Sequence, residues 1–234
     1  MIWGGDLYKM TNVKIAGLKT VSHWRKIREK LTSQPDADKL WDYVFNEFLL
    51  TRIETRYFEP IEAISKISKK QGKGFSIIAI YCSLIEFFET QKKGYQFHNQ
   101  KYKDESGKII KSPTRTKNGK PSDLSSGEVF VQFLTENKPF QSYFFDIKIA
   151  KDFYQNVRCA ILHQAETTNS WIVRDGSDSD TCIYHDNLKN IYELRWKPLK
   201  KMFKDYLLFY REELKTDQEI QRHFIFKWDK IANL

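Results

Sequence analysis

The segment DIKIAKDFYQNVRCAILHQAETTNSW, Asp146 to Trp171, carries the clearest period in the chain. Ile149, Ala150, Phe153, Tyr154, Val157, Ala160 and Ile161 recur at three- and four-residue steps, the spacing of a helix with one buried face. Arg158 and His163 stand at the edges of that stripe, four residues between them. At about 100° per residue their side chains point roughly 140° apart on a regular helix. One helix therefore does not bring both head groups to one point. A second copy, crossing the first about a two-fold axis, puts two Arg and two His into one cleft.

Outward from this helix, the chain reads as further helices. Phe75 to Lys93 is the most apolar segment and predicts a central helix. Among its few polar residues, Glu86 either orients His163 or a substrate group from a neighbouring helix, or marks an edge facing water. A long helix begins near Lys39, capped by Asp36 or Asp38, with Leu40, Tyr43, Val44, Phe48, Ile53, Tyr57, Ile61 and Ile64 inward. Pro60 is expected to kink or split it. Before it, Val21 to Leu31 predicts a short basic helix ended at Ser33-Gln34-Pro35, and residues 1–20 an irregular arm.

Residues 98–126 lose all apolar period and fill with Lys, Gly, Ser and Pro. They predict a long basic loop, with a turn at Ser106-Gly107. A phosphate backbone suits such a loop, and Lys108, Lys111, Arg115, Lys117 and Lys120 are its candidate RNA contacts; a solvated insertion is the plainer alternative. Ser125 or Ser126 starts a short helix from Glu128 to Asn137. Two short strands in 170–185 predict a hairpin around Asp175–Asp180. Asn187 to Lys215 predicts a last long helix, kinked at Pro198, with Leu188, Ile191, Leu194, Leu199, Phe203, Leu207 and Tyr210 inward. A shorter one follows from Asp217 to Asn233. The fold class expected is all-α, a single domain over 36–234 preceded by an arm and a short helix over 1–35.

The chain has 234 residues, 41% of them hydrophobic, enough for one sizeable core. Thirty-nine Lys and Arg against 30 Asp and Glu give a net charge of +9, which favours polyanionic partners. Cys82, Cys159 and Cys182 have neither disulfide nor zinc spacing, as expected in the cytoplasm. The opening residues lack the charged-then-apolar order of a signal peptide, and the longest apolar run is too short for a bilayer span of ~20 residues. No metal or cofactor is expected: none of the five histidines has acidic or Cys neighbours at ligand spacing.

The phrase NVRCAILHQA, late in a helical domain, resembles the HEPN superfamily, whose members carry an Arg, four to six residues, then a His in a late core helix. The resemblance implies a helical bundle with long kinked helices, a two-fold homodimer and metal-independent cleavage of RNA. It places the family Arg on Arg158 and the family His on His163. The residue after the family Arg is usually polar; here it is Cys159, and Asn156 a turn earlier offers the polar group. Such proteins resemble components of toxin–antitoxin and antiphage defence systems, so an antitoxin or defence partner protein is a further expectation. The alternative is a catalytically silent module that binds RNA or a partner protein.

Overall fold

The apolar segment around Ile77–Phe88 becomes the axis of the molecule in a computed structural model that describes residues 12–33, 38–68 and 72–234. This helix, α3 (Lys73–Lys92), buries residues all round its circumference, from Ile77, Ile78 and Tyr81 to Phe88 and Gln91. A helix apolar on every side has to be enclosed by others. Around it pack α1 (Val21–Ser33), α2 (38–65), α4 (Ser126–Glu136), α5 (147–164), α6 (Trp196–Thr216) and α7 (Gln218–Ile231).

One hydrophobic cluster runs from Ile15 to Ala232. Trp24, Phe48, Phe224 and Trp228 form its α1–α2–α7 end; Phe88, Phe133, Phe140, Phe203 and Tyr206 form its centre. Each fully buried aromatic contributes about 1.5–3 kcal/mol by leaving water. Cys82 and Cys182 are buried and Cys159 half-buried, all three as free thiols. No helix among the described residues is long and apolar enough to cross a membrane.

The all-α expectation is overturned. The structure is 59% helical and 17% strand, with four small sheets among the described residues, a mixed α/β fold. Lys14–Ala16 (β1) and Lys19–Thr20 (β2) pair as a hairpin in what reads as an irregular arm. Arg52 of α2 donates to the Ile15 carbonyl and docks that hairpin. Residues 1–11, and Asp36 with its capping role, lie outside the described residues.

The 98–126 stretch folds as two hairpins rather than a loop. Gln96–His98 (β3) pairs with Lys101–Lys103 (β4), and Lys111–Lys117 (β5) with Lys120–Asp123 (β6). The turn at Ser106-Gly107 does form, with Asp104 Oδ1 accepting from the Ser106 and Lys108 amides. Strands escape sequence reading here because both faces of β5 meet water: only Ser112 of its seven residues is buried. Without a dry face there is no alternation to read.

Trp171–Arg174 (β7) and Ile183–Asp186 (β8) do not pair with each other as the 170–185 hairpin requires. Both flank Ile191–Arg195 (β9), β7 parallel and β8 antiparallel. Ile191 and Leu194, three apart, mimic a helical stripe, which is why the sequence starts the last long helix at Asn187. It begins at Trp196 instead, and Leu188 is fully exposed. Pro198 then falls in the first helical turn, where a missing N–H leaves no bond unmade, so it causes no kink. Pro60 follows a π-helical turn, Glu54–Phe58, and α2 continues through it.

Candidate functional site

Asp146 caps α5, its carboxylate accepting from the Lys148 amide at 2.8 Å. The helix is α-helical over Ile147–Phe153, widens to π-helical over Tyr154–Cys159, and returns to α over Ala160–Gln164. It stops where Ala165 turns left-handed at φ 57°. Such wide turns occur often at functional sites. Ala150, Phe153, Val157 and Ala160 of the expected stripe are buried, with Ile149, Tyr154 and Ile161 packed against the core.

Arg158 leaves the wide turn sideways and meets Glu86 of α3, Nη2 to Oε1 at 2.6 Å. The two side chains retain 20% and 23% of their exposure, so the pair is shielded but within reach of solvent. The Arg158 guanidinium also lies 5.4 Å from the Tyr154 ring centroid, near enough for cation–π attraction. Burial opposes its charge, but the Glu86 carboxylate and Tyr154 more than offset this and hold its pKa above the ordinary value. Arg158 is therefore a fixed cation. Burial pushes the Tyr154 and Tyr102 hydroxyls up to about 12. Tyr102, beside Glu86, shares a 3.1 Å hydrogen bond with Ser126.

His163 does not join this cluster. It stands exposed on the last turn of α5, five residues beyond Arg158. Asn156 also turns elsewhere: its amide donates to Asp152, while its side-chain oxygen accepts from Thr168 and Asn169 at 2.9 and 3.0 Å. Trp171 donates to the same Asp152 carboxylate. Asn156 thus ties the segment after the helix back onto it. Of the four sequence candidates, only Glu86 and Arg158 meet within one chain.

The five basic candidates, Lys108, Lys111, Arg115, Lys117 and Lys120, are all exposed on or beside the β5–β6 hairpin. Two are already engaged: Lys111 with Asp123 at 2.6 Å and Arg115 with Glu128 at 3.0 Å. Lys117 and Lys120 flank the Asn118-Gly119 turn, exposed and with no ion pair among the described residues. Tyr102 and Ser126 escape sequence reading because nothing in their spacing links them to α5. Glu128 carries a signal, the S-x-x-E capping box with Ser125, although its second role as anchor for Ser112 and Arg115 does not. No group of three or more His, Cys, Asp or Glu able to hold a metal gathers among the described residues.

Compared with known proteins, the chain matches no family model, no curated protein and no solved structure.

Proposed function

We propose that the protein is a metal-independent endoribonuclease of HEPN type, with Arg158 and His163 as catalytic residues and Glu86 as the positioning residue for Arg158. The observation that carries this is the Glu86–Arg158 pair, a fixed cation at the edge of a helix whose next turn presents a solvent-facing histidine. RNA supplies its own nucleophile. His163 takes the proton of the ribose 2′-OH as that oxygen bonds to phosphorus, and the 5′-oxygen leaves with a proton returned to it. Histidine as a residue type exchanges protons near neutral pH. Arg158 holds the phosphate oxygens as their charge builds. The products end in a 2′,3′-cyclic phosphate and a 5′-hydroxyl.

A two-fold homodimer, in which α5 of each copy faces the other, brings one chain's His163 toward its partner's Arg158; the net charge of +9 and the free Lys117 and Lys120 favour the RNA strand. Three free cysteines suit a reducing cytoplasm, and a toxin or defence setting with a partner protein belongs to the same reading. A second reading, a silent RNA-binding module, is favoured by the neutralisation of Arg158 by Glu86.

Cleavage of RNA by the purified protein in EDTA, with loss on His163→Ala and on Arg158→Ala and resistance of a substrate bearing 2′-deoxyribose at the cut, is the expected result. Wild-type protein that binds varied RNAs and cuts none selects the silent module.

A further inference from the structure

Three half-buried cations of this protein each hold a carboxylate: Lys92 with Glu213 at 2.7 Å, Arg158 with Glu86 at 2.6 Å and Arg195 with Glu193 at 2.9 Å. Arg52 on α2 and Lys227 on α7 are half-buried too, yet neither makes an ion pair among the described residues. Their partners are neutral. Arg52 Nη1 donates to the Ile15 carbonyl of β1 at 2.5 Å, and Lys227 Nζ to Thr90 Oγ1 at 2.8 Å and to the Tyr95 carbonyl at 3.1 Å. The Arg52 guanidinium lies 6.0 Å from the ring centroid of Trp228, the residue next to Lys227. Both charges therefore stand at one junction, where β1, α2 and α7 meet the end of α3.

Holding two positive charges away from water without a counter-charge is costly. Burial lowers the Lys227 pKa to about 8, and Arg52 adds to the fall. Burial likewise lowers that of Arg52 to about 10, and Arg56 adds to it. No carboxylate acts on either group. The unused donors have a definite shape. With Nη1 on Ile15, Arg52 keeps its Nε–Nη2 edge, and neither atom is hydrogen-bonded or cut off from solvent. That edge is the fork that takes two oxygens of one oxyanion. Lys227 has one N–H left after Thr90 and Tyr95. A terminal phosphate group matches the pair, because it carries three acceptor oxygens and close to two negative charges. A carboxylate has fewer of both, and a phosphodiester inside a nucleic-acid strand has a single charge.

We infer that the junction of β1, α2 and α7 is a binding site for a terminal phosphate group, held by the Nε–Nη2 edge of Arg52 and by Lys227. The ribonuclease reading is not needed for it: no residue of the Arg158 cluster takes part, and the test reads binding rather than cleavage.

The test is acetylation of Lys227 by acetic anhydride in the folded full chain at pH 7, followed by peptide mass spectrometry with the exposed Lys151 as reference. Only the neutral amine reacts, and each unit by which a bound phosphate raises the Lys227 pKa lowers its neutral fraction about tenfold. Inorganic phosphate is therefore expected to slow labelling of Lys227 relative to Lys151 by about tenfold or more, against chloride or acetate at equal ionic strength. In calorimetric titration with phosphate, Arg52→Lys, which keeps the charge without the fork, and Lys227→Met should each weaken binding about tenfold. A short RNA with a 5′-phosphate that protects Lys227 where its 5′-hydroxyl counterpart does not gives the group a nucleic-acid source. Protection by inorganic phosphate alone gives a free one. Labelling as fast in phosphate as in chloride, or as slow in acetate as in phosphate, overturns the inference, and so does phosphate binding undiminished in both variants. Should either variant unfold, labelling of the wild-type protein decides alone.

Discussion

Two glutamates three positions apart on α3 lead opposite lives. Glu86 stands at the α5 edge, half-covered, with a cation 2.6 Å away and water within reach. Glu89 lies fully buried toward α4, accepting one hydrogen bond from the Asn137 amide at 3.1 Å, while its Oε1 has no partner. Burial raises the Glu89 pKa to about 7. The edge carboxylate is paired with a side chain that a ligand can replace. The interior one is held by the fold, and nothing outside can exchange with it. Charge that can change partners sits at the rim of this core, and polar groups inside it serve to fix neighbours.

The largest contrast should appear in activity. Arg158→Ala is expected to lower RNA cleavage by roughly 10²–10⁴-fold while costing only about 1 kcal/mol of stability, since the pair is near the surface. Measuring cleavage and urea unfolding on the same preparation checks both. Unfolding of the variant would make the rim pair as structural as the interior site.

Next in size is the pH dependence of the interior. A carboxyl raised from about 4.5 to about 7 adds stability that is fully present below pH 4.5 and is lost as pH climbs through 7. The loss is on the order of 3 kcal/mol. Unfolding curves between pH 5 and 8 should show it, and Glu89→Gln should flatten them; an unchanged slope in that variant would place the titration elsewhere. Smaller again, Asn137→Ala removes the donors to Glu89 and to the Phe133 carbonyl and should cost about 2 kcal/mol by thermal melting. Smallest is Glu86→Gln, expected to shift stability by less than about 0.5 kcal/mol yet to reduce cleavage by loosening Arg158. A stability loss as large as that of Asn137→Ala would erase the distinction between the two sites.

The helices were legible because their apolar residues are spaced for a helix: α3 and α5 fall close to the residues their sequence implies, and Ser125, one of the two candidate starts, caps α4. The sheets were not, because their strands are short and wet or, in β9, have apolar residues three apart like a helix. The candidate site was legible where it depended on one helix. Arg158 and His163 sit at the edges of α5 as the stripe implies. The Glu86 contact joins residues 72 positions apart, which no local period encodes, and Asn156 was drawn away by Asp152, Thr168 and Asn169, partners visible only once the chain has turned back.

The wide turn of α5 has a consequence for how the gene can vary in length. A π-helical turn holds one residue more than an α-helical turn needs. Removing a residue between Tyr154 and Val157 would let the helix close without a break, so such a deletion should be tolerated by the backbone. The wide turn absorbs that extra residue, so the helix beyond it, with Arg158 and His163, would keep close to its present rotation about the axis. Their mutual spacing and their bearing on Glu86 would both survive. The same deletion within the α-helical stretch Ile147–Phe153 would instead turn Arg158 and His163 together by about 100°, and a spacing motif alone cannot report which of the two has happened.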